Sequence, residues 1–351
     1  MEKPLFQVAK GEKARSVPIW LMRQAGRYLP EYQAVRAKYG FLEVCQNPEL
    51  AVEVSLQPWK RFGFDGVILF SDILIPTLAM GVELDFNPGP LIQKPLRSAK
   101  DIRALEGSLT QAKNVFESIP YVFQALELLK KEISDSATLI GFCGAPFTVA
   151  CYLIEGKHSQ DFSHVKKMMK ESPILLHILL DKLCGLFIEY LKSQVKSGAE
   201  VVQVFDTWAS LLSTEEYAEF AYPYEKRLVD ELKPLAPVIL FVKESSKFLN
   251  EIKKMEAPIV SIDQSISLED ARTVLGKEVI LQGNLDPELL ASGTKSDIRR
   301  AVQAILTQTQ GQVQGRARGQ KHIFNLGHGV LPHTPLENVS TLVEEVRGFH
   351  V

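Results

Sequence analysis

The chain of 351 residues is 46% hydrophobic and 23% charged, the balance of a globular protein with a large core, which excludes disordered and fibrous classes. Its formal net charge of −2 gives no long-range pull toward nucleic acid or an anionic membrane, so anion binding has to be local. No run of about 18 apolar residues exists to cross a bilayer, and the opening MEKPLFQVAKGEKARS lacks an apolar signal segment. Cys45, Cys143, Cys151 and Cys184 form no CxxC or zinc-type spacing, so the expectation is a cytoplasmic protein with reduced core thiols and no metal.

Residues 1 to 40 hold eight Lys or Arg against three Glu. A solvated basic face accounts for most such clusters; Arg15, Arg23, Arg27 and Arg36 are the members to follow. The first apolar run, Val17–Met22, predicts a strand and stops at Arg23, the start of Arg23-Gln24-Ala25-Gly26-Arg27. A helix over Glu49–Phe62 leads to a second strand, Gly66–Phe70, ending in Ser71-Asp72. The segment Gly81–Pro95, broken by Gly81, Pro88, Gly89, Pro90 and Pro95, reads as an excursion forming a hairpin lid. A helix at Val122–Lys131 and a strand at Thr138–Gly144 follow, the strand running into Ala145-Pro146 and a helix that carries Tyr152, where aromatics usually pack inward. The helix Ile174–Lys196 precedes a fourth strand, Val201–Phe205, ending in Asp206-Thr207.

In the second half, a helix over Glu215–Leu232 leads to strands at Val238–Val242, ending in Lys243, and Ile259–Ile262, ending in Asp263. A helix at Leu268–Leu275 precedes a strand at Val279–Gln282 that ends in Gly283-Asn284. The polar stretch Gly311–Lys321 reads as a surface loop. The last strand, His322–Leu326, ends in Gly327-His328, and a helix over Pro335–Val346 closes the pattern.

Eight continuous apolar strands alternating with helices imply a parallel sheet covered on both faces. The expected fold is α/β: a single (β/α)8 TIM barrel over 1–351, with an insertion after the second βα unit. A doubly wound open sheet is the rival, but it would more often carry a Gly-rich nucleotide loop where this chain has RQAGR. In a barrel the residues just after the strands line the active site.

Asp72 has an ordinary reading as a helix N-cap. With Arg23 and Arg27 nearby, though, it is expected to stay ionised and then accepts hydrogen bonds without donating any. Arg23 and Arg27 stand four apart; if helical they share a face and grip carboxylates, unless they are spent on Glu31 or Asp72. Gly26 is expected to admit a close-lying ligand, and the glycines flanking His328 to leave its ring open.

The segments PIWLMRQAGRYLPEY at 18–32, FSDIL at 70–74, GAPFT at 144–148, YLIEG at 152–156, FDTWAS at 205–210, QGNLDP at 282–287 and NLGHGVLP at 325–332 resemble, in order and spacing, the signature stretches of the uroporphyrinogen decarboxylase family. RQAGR is the most specific. The resemblance implies a cofactor-free barrel enzyme that removes carbon dioxide from the four acetate arms of uroporphyrinogen III, giving coproporphyrinogen III, and that forms homodimers. It implies substrate contacts at Arg23, Gln24, Ala25, Gly26, Arg27, Tyr152, Thr207 and His328, a central pyrrole-binding carboxylate at Asp72, and Arg23 as proton donor. Water or a substrate carboxyl is an alternative donor, because arginine is a weak acid. Thr207 stands where many relatives have serine and Phe147 where tryptophan is frequent, a change expected to alter only the pocket lining. Arg36 and Tyr28 are further candidates; Lys243 and Asp263 lie outside the matched stretches, and their roles are not readable. Two other readings have distinct requirements. A corrinoid-linked methyltransferase needs thiolate-bound zinc, and no cysteine follows Cys184. A tetrapyrrole carrier would use the same pocket without turnover.

Overall fold

The computed structural model describes residues 3–86, 89–105, 115–309 and 321–349; of the predicted loop Gly311–Lys321 only Lys321 falls among them. The centre is a curled seven-stranded parallel sheet of β1 (Gly66–Ile68), β4 (Thr138–Gly144), β5 (Val201–Asp206), β6 (Val238–Val242), β7 (Ile259–Ser261), β8 (Ile280–Leu285) and β9 (His322–Leu326), hydrogen-bonded in that order. Helices alternate with the strands and bury them: Leu139, Val202, Ile239, Val260, Leu281 and Ile323 are all 2% exposed or less. Continuous apolar strands follow from that double coverage. Among the described residues no helix is long and apolar enough to cross a membrane.

Seven of the eight predicted strands are ladder strands, and Val17–Met22 is not. It lies between β9 and β1, with one isolated parallel bridge from Ile19 to Phe324, Trp20 N donating to Phe324 O, and Asp65 N donating to Ile19 O. Its remaining donors explain why no ladder forms. Pro18 has none; Ile19 N goes to Asp65 Oδ2 at 2.8 Å, Leu21 N to Gln24 Oε1 at 3.1 Å and Met22 N to Asn325 Oδ1 at 2.9 Å. Side chains replace the backbone partners that a ladder would supply.

The segment Gly81–Pro95 contains a second, antiparallel sheet, β2 (Leu84–Phe86) with β3 (Pro90–Ile92), between β1 and the helix Pro120–Ile133. It docks on the helix Pro146–Glu155: Ile92 N donates to Gly156 O, and Arg97 Nε donates to Ile154 O. The helix expected over Glu215–Leu232 is two, Thr214–Phe220 and Tyr222–Leu232. Pro223 sits in the first turn of the second, where its missing N–H costs nothing.

Candidate active site

Arg23 follows the side-chain-held segment 17–22 in a turn closed by Gln24 N donating to Leu21 O. The residues 23–27 are turns and bends, so the helical sharing of a face by Arg23 and Arg27 does not occur. Arg23 has φ +60°, a left-handed conformation that costs a non-glycine residue roughly 1–2 kcal/mol. Strain of this kind collects at functional sites. Its side chain lies across Gly329: a Cβ there would come within 2.3 Å of Arg23 Cδ and 2.6 Å of Cγ. Gly329 therefore makes room for an arginine, and Gly26 has a similar reason, since its Cβ would lie 2.9 Å from Arg23 O. These packing needs are a reason for a glycine at each position besides the openness to ligand expected there.

Gln24 is fully buried and its amide is committed, accepting from Leu21 N and donating to Gly66 O. Ala25 packs partly on the core. Arg27 is exposed. Glu31 is taken by Arg61, and neither Arg23 nor Arg27 forms an ion pair within 4 Å among the described residues. Both guanidinium groups are thus uncommitted. Tyr28 OH donates to Gln24 O at 2.8 Å, a structural bond, and Arg36 lies over the Phe41 ring.

Asp72 stands past the end of β1. Its Oδ1 accepts from Leu74 N at 2.9 Å, the turn bond of the capping reading, while Oδ2 has no partner among the described residues. Burial pushes its pKa up to about 6, against the lowering effects of that bond and of Arg23. This corrects the expected direction: desolvation outweighs the guanidinium. At pH 7 and above the carboxylate still predominates.

Tyr152 is half-buried against Trp208, with ring centroids 6.0 Å apart. Burial is the main cause of its raised pKa, with smaller effects from Asp72 and Arg23, so the helix aromatic expected to pack inward shares the site's field. His328 is held at a pKa of about 4 by burial and then by the charges of Arg23 and Lys243; it is a neutral imidazole at physiological pH. Its ring meets Phe241 edge-on at 5.9 Å, and Phe241 meets Phe205 at 6.1 Å. Thr207 is half-buried with no hydroxyl partner among the described residues. Phe147 is 1% exposed and belongs to the core, which corrects its assignment to the pocket lining.

Sequence reasoning missed the supports. Asp206 Oδ1 accepts from Thr148 Oγ1 and from Ala209 N, and Thr148 Oγ1 accepts from Trp208 N, fixing the corner that holds Thr207. Asp206 also hydrogen-bonds Glu225, whose other oxygen accepts from Tyr217 OH. Burial and the Asp206 charge push Glu225 well above the carboxylate range, so it carries the proton this pair shares. Lower in the sheet's interior, Trp20 Nε1 donates to Gln282 Oε1, and Gln282 Nε2 donates to Gln203 Oε1 and Ser261 Oγ. Asp263 accepts from Glu244 N and Ser265 N and fastens the turn after β6. A surface hollow of about 450 Å³ lined by Ala9, Lys233–Pro237, Glu256 and Pro258 contains none of these residues. No cluster of three His, Cys, Asp or Glu capable of holding a metal occurs among the described residues.

Residues 1–349 match the family model described as uroporphyrinogen decarboxylase. The chain belongs to the uroporphyrinogen decarboxylase family. Members similar to it include the uroporphyrinogen decarboxylases of Geobacter metallireducens, 44% identical over 345 residues and 98% of each chain, and Geobacter sulfurreducens, 43% identical over the same coverage. This is a family of carboxy-lyases, and the match runs through every segment that carries the cluster. Among solved structures, a methyltransferase from Methanosarcina mazei is similar in fold, with a TM-score of 0.78 at 22% identity, covering 97% of this chain and 96% of that one. A B12-independent methionine synthase from Shewanella aligns at a TM-score of 0.53 and 12% identity, covering 95% and 94%. At those identities the likeness concerns the fold alone.

Proposed function

We propose that this chain decarboxylates uroporphyrinogen III to coproporphyrinogen III, with the pyrrole N–H groups donating to Asp72 and arm carboxylates held by Arg23 and Arg27. The observation that carries the reading is Asp72 Oδ2, an acceptor without a partner, within electrostatic reach of the uncommitted Arg23 guanidinium group. An acceptor-only carboxylate suits a ring of N–H donors, and planar guanidinium forks suit carboxylates. Gln24, Ala25 and Gly26 then shape the backbone of the turn, while Tyr152, Thr207 and His328 offer neutral polar contacts.

The ring serves as its own electron sink, the task otherwise given to a carbanion-stabilising cofactor. Protonation of the pyrrole carbon beside the one that bears an acetate arm makes the ring cationic, with the positive charge shared by the arm-bearing carbon. The arm's C–C bond then breaks, carbon dioxide leaves and the electron pair neutralises the ring. A proton added to the exocyclic carbon makes the methyl group, and loss of the first proton from the ring restores the pyrrole. Each cycle consumes one proton. Ionised Asp72 stabilises the cationic stages through preorganised charge, worth about 10²–10³ in rate. Arg23 lies near the reacting arms and is the first donor in this scheme; water or a neighbouring carboxyl group is the alternative.

The same reading takes the chain as one catalytic domain, with residues 17–22 acting as the eighth stave that closes a (β/α)8 barrel and β2–β3 as an inserted hairpin. It also takes a cytoplasmic homodimer, a state that sedimentation of the purified chain as a monomer would exclude. The decisive assay is incubation with uroporphyrinogen without oxygen or light, then chromatography of the oxidised products. Accumulation of the four-carboxyl product is expected. Undiminished eight-carboxyl substrate favours a carrier and overturns the reading, and stoichiometric zinc in protein without that turnover would favour the methyltransferase.

A further inference from the structure

The residue that ends β6 has no task in the scheme above. Lys243 N donates to Asp206 O at 3.0 Å, which carries the β5–β6 ladder one residue past the strand. Phe241, two residues earlier, contacts Phe205 and His328, and side chains two apart in an extended chain share a face. Lys243 therefore rises on the side of the sheet that holds His328. It is half-buried and forms no ion pair within 4 Å among the described residues. The carboxylates around it are engaged elsewhere: Glu244 pairs with Lys247, and Asp263 accepts from Glu244 N, Ser245 Oγ and Ser265 N.

Position around the sheet gives this cation its meaning. From residues 17–22 the order runs through β1, β4 and β5 to β6 in one direction, and through β9, β8 and β7 to β6 in the other. β6 is the strand farthest from the segment that carries Arg23. We infer that Lys243 binds a carboxylate arm of the tetrapyrrole on the side of the site opposite Arg23 and Arg27. The inference rests on the proposed function and adds a residue to it. His328 is within electrostatic reach of both cationic groups, whose charges each act on its ring. A ligand with an acid arm on every ring needs cations on more than one wall, and a half-buried ammonium without an anion is costly unless a ligand supplies one. A flexible point charge can follow arms of different length better than a fixed fork.

The test is steady-state kinetics of Lys243→Gln and Lys243→Arg with uroporphyrinogen, at two ionic strengths. The glutamine variant is expected to raise KM about tenfold, the low end for a charge-assisted hydrogen bond, with kcat within about twofold of the parent. Arginine restores most of the loss, and KM in the glutamine variant rises less steeply with salt. If glutamine does not fold, Lys243→Met against Lys243→Arg makes the same comparison. Normal turnover with unchanged KM and salt dependence in the neutral variant overturns this inference alone. No turnover by the parent chain overturns the decarboxylase reading instead.

Discussion

At Asp72 the protein trades stability for chemistry. A carboxyl with an ordinary pKa of 3.8 is held at about 6, so its protonated form suits the folded state and its charged form does not. The sign follows from linkage: a raised folded pKa gives stability present below the unfolded value and lost as pH climbs through the folded one. The loss falls between about pH 4 and pH 6, on the order of 3 kcal/mol. Asp72→Asn keeps an acceptor for Leu74 N and cannot ionise. It is expected to lower kcat by at least about 10² while melting higher than the parent at pH 7.5 and not at pH 4; equal melting differences at the two pH values would contradict the shift. In the parent, kcat/KM should fall on the acid side with a pKa near 6, the value in the free protein. A profile flat down to pH 5 would remove Asp72 from its role.

Gly329 gives a second residue-scale test, because Arg23 lies across it. Gly329→Ala is expected to push the arginine aside and lower kcat/KM nearly as far as Arg23→Ala does, with stability changed by only about 0.5 kcal/mol. Full activity in that variant would mean that the side chain rests elsewhere in solution. RQAGR and GHG were legible as a chemical pair in the sequence. That one glycine exists to seat the other motif's arginine was not, since 306 positions separate Arg23 from Gly329 in sequence.

On the scale of elements, the corner after β5 depends on a proton. Glu225, from the helix Tyr222–Leu232, shares it with Asp206, and the pair fixes the backbone around Thr207 and Trp208. Glu225→Ala leaves Asp206 buried without its partner and should cost about 3 kcal/mol. Glu225→Gln can donate to Asp206 and accept from Tyr217 without titrating. Because the native glutamic acid has a raised pKa, its contribution declines as pH rises, so the glutamine variant should gain on the parent between pH 5 and pH 9. Thermal melts across that range check this, and a gap that narrows with pH would show that the proton is not there.

Elements were legible in proportion to how far burial dictated them. Strands covered on both faces are apolar throughout, which is why β4, β6 and β9 match their predicted bounds. Val17–Met22 has the same composition, yet its donors are met by Asp65, Gln24 and Asn325, partners that no local pattern reveals. The split at Ala221 was foreshadowed by Pro223, which reads as a helix start as readily as an interruption.

Across the whole molecule, the least legible feature was the polar layer inside the sheet. Gln203 and Gln282 interrupt apolar strands and look like noise in the sequence, being 79 positions apart. In space they join Trp20 and Ser261 into one hydrogen-bonded chain. Mutual dependence of this kind makes the layer resistant to piecemeal change. Gln282→Leu alone orphans the Trp20 indole and the Gln203 carbonyl, at about 1–3 kcal/mol for each stranded group. Replacing both glutamines by leucine should cost measurably less than the two single losses added together, and a thermodynamic cycle on denaturant midpoints reads the difference. Sequences drifting away from this one are therefore expected to keep the glutamines together or lose them together, since losing Gln282 first strands the group on Gln203 that it satisfied, and the second loss then costs less than it would alone.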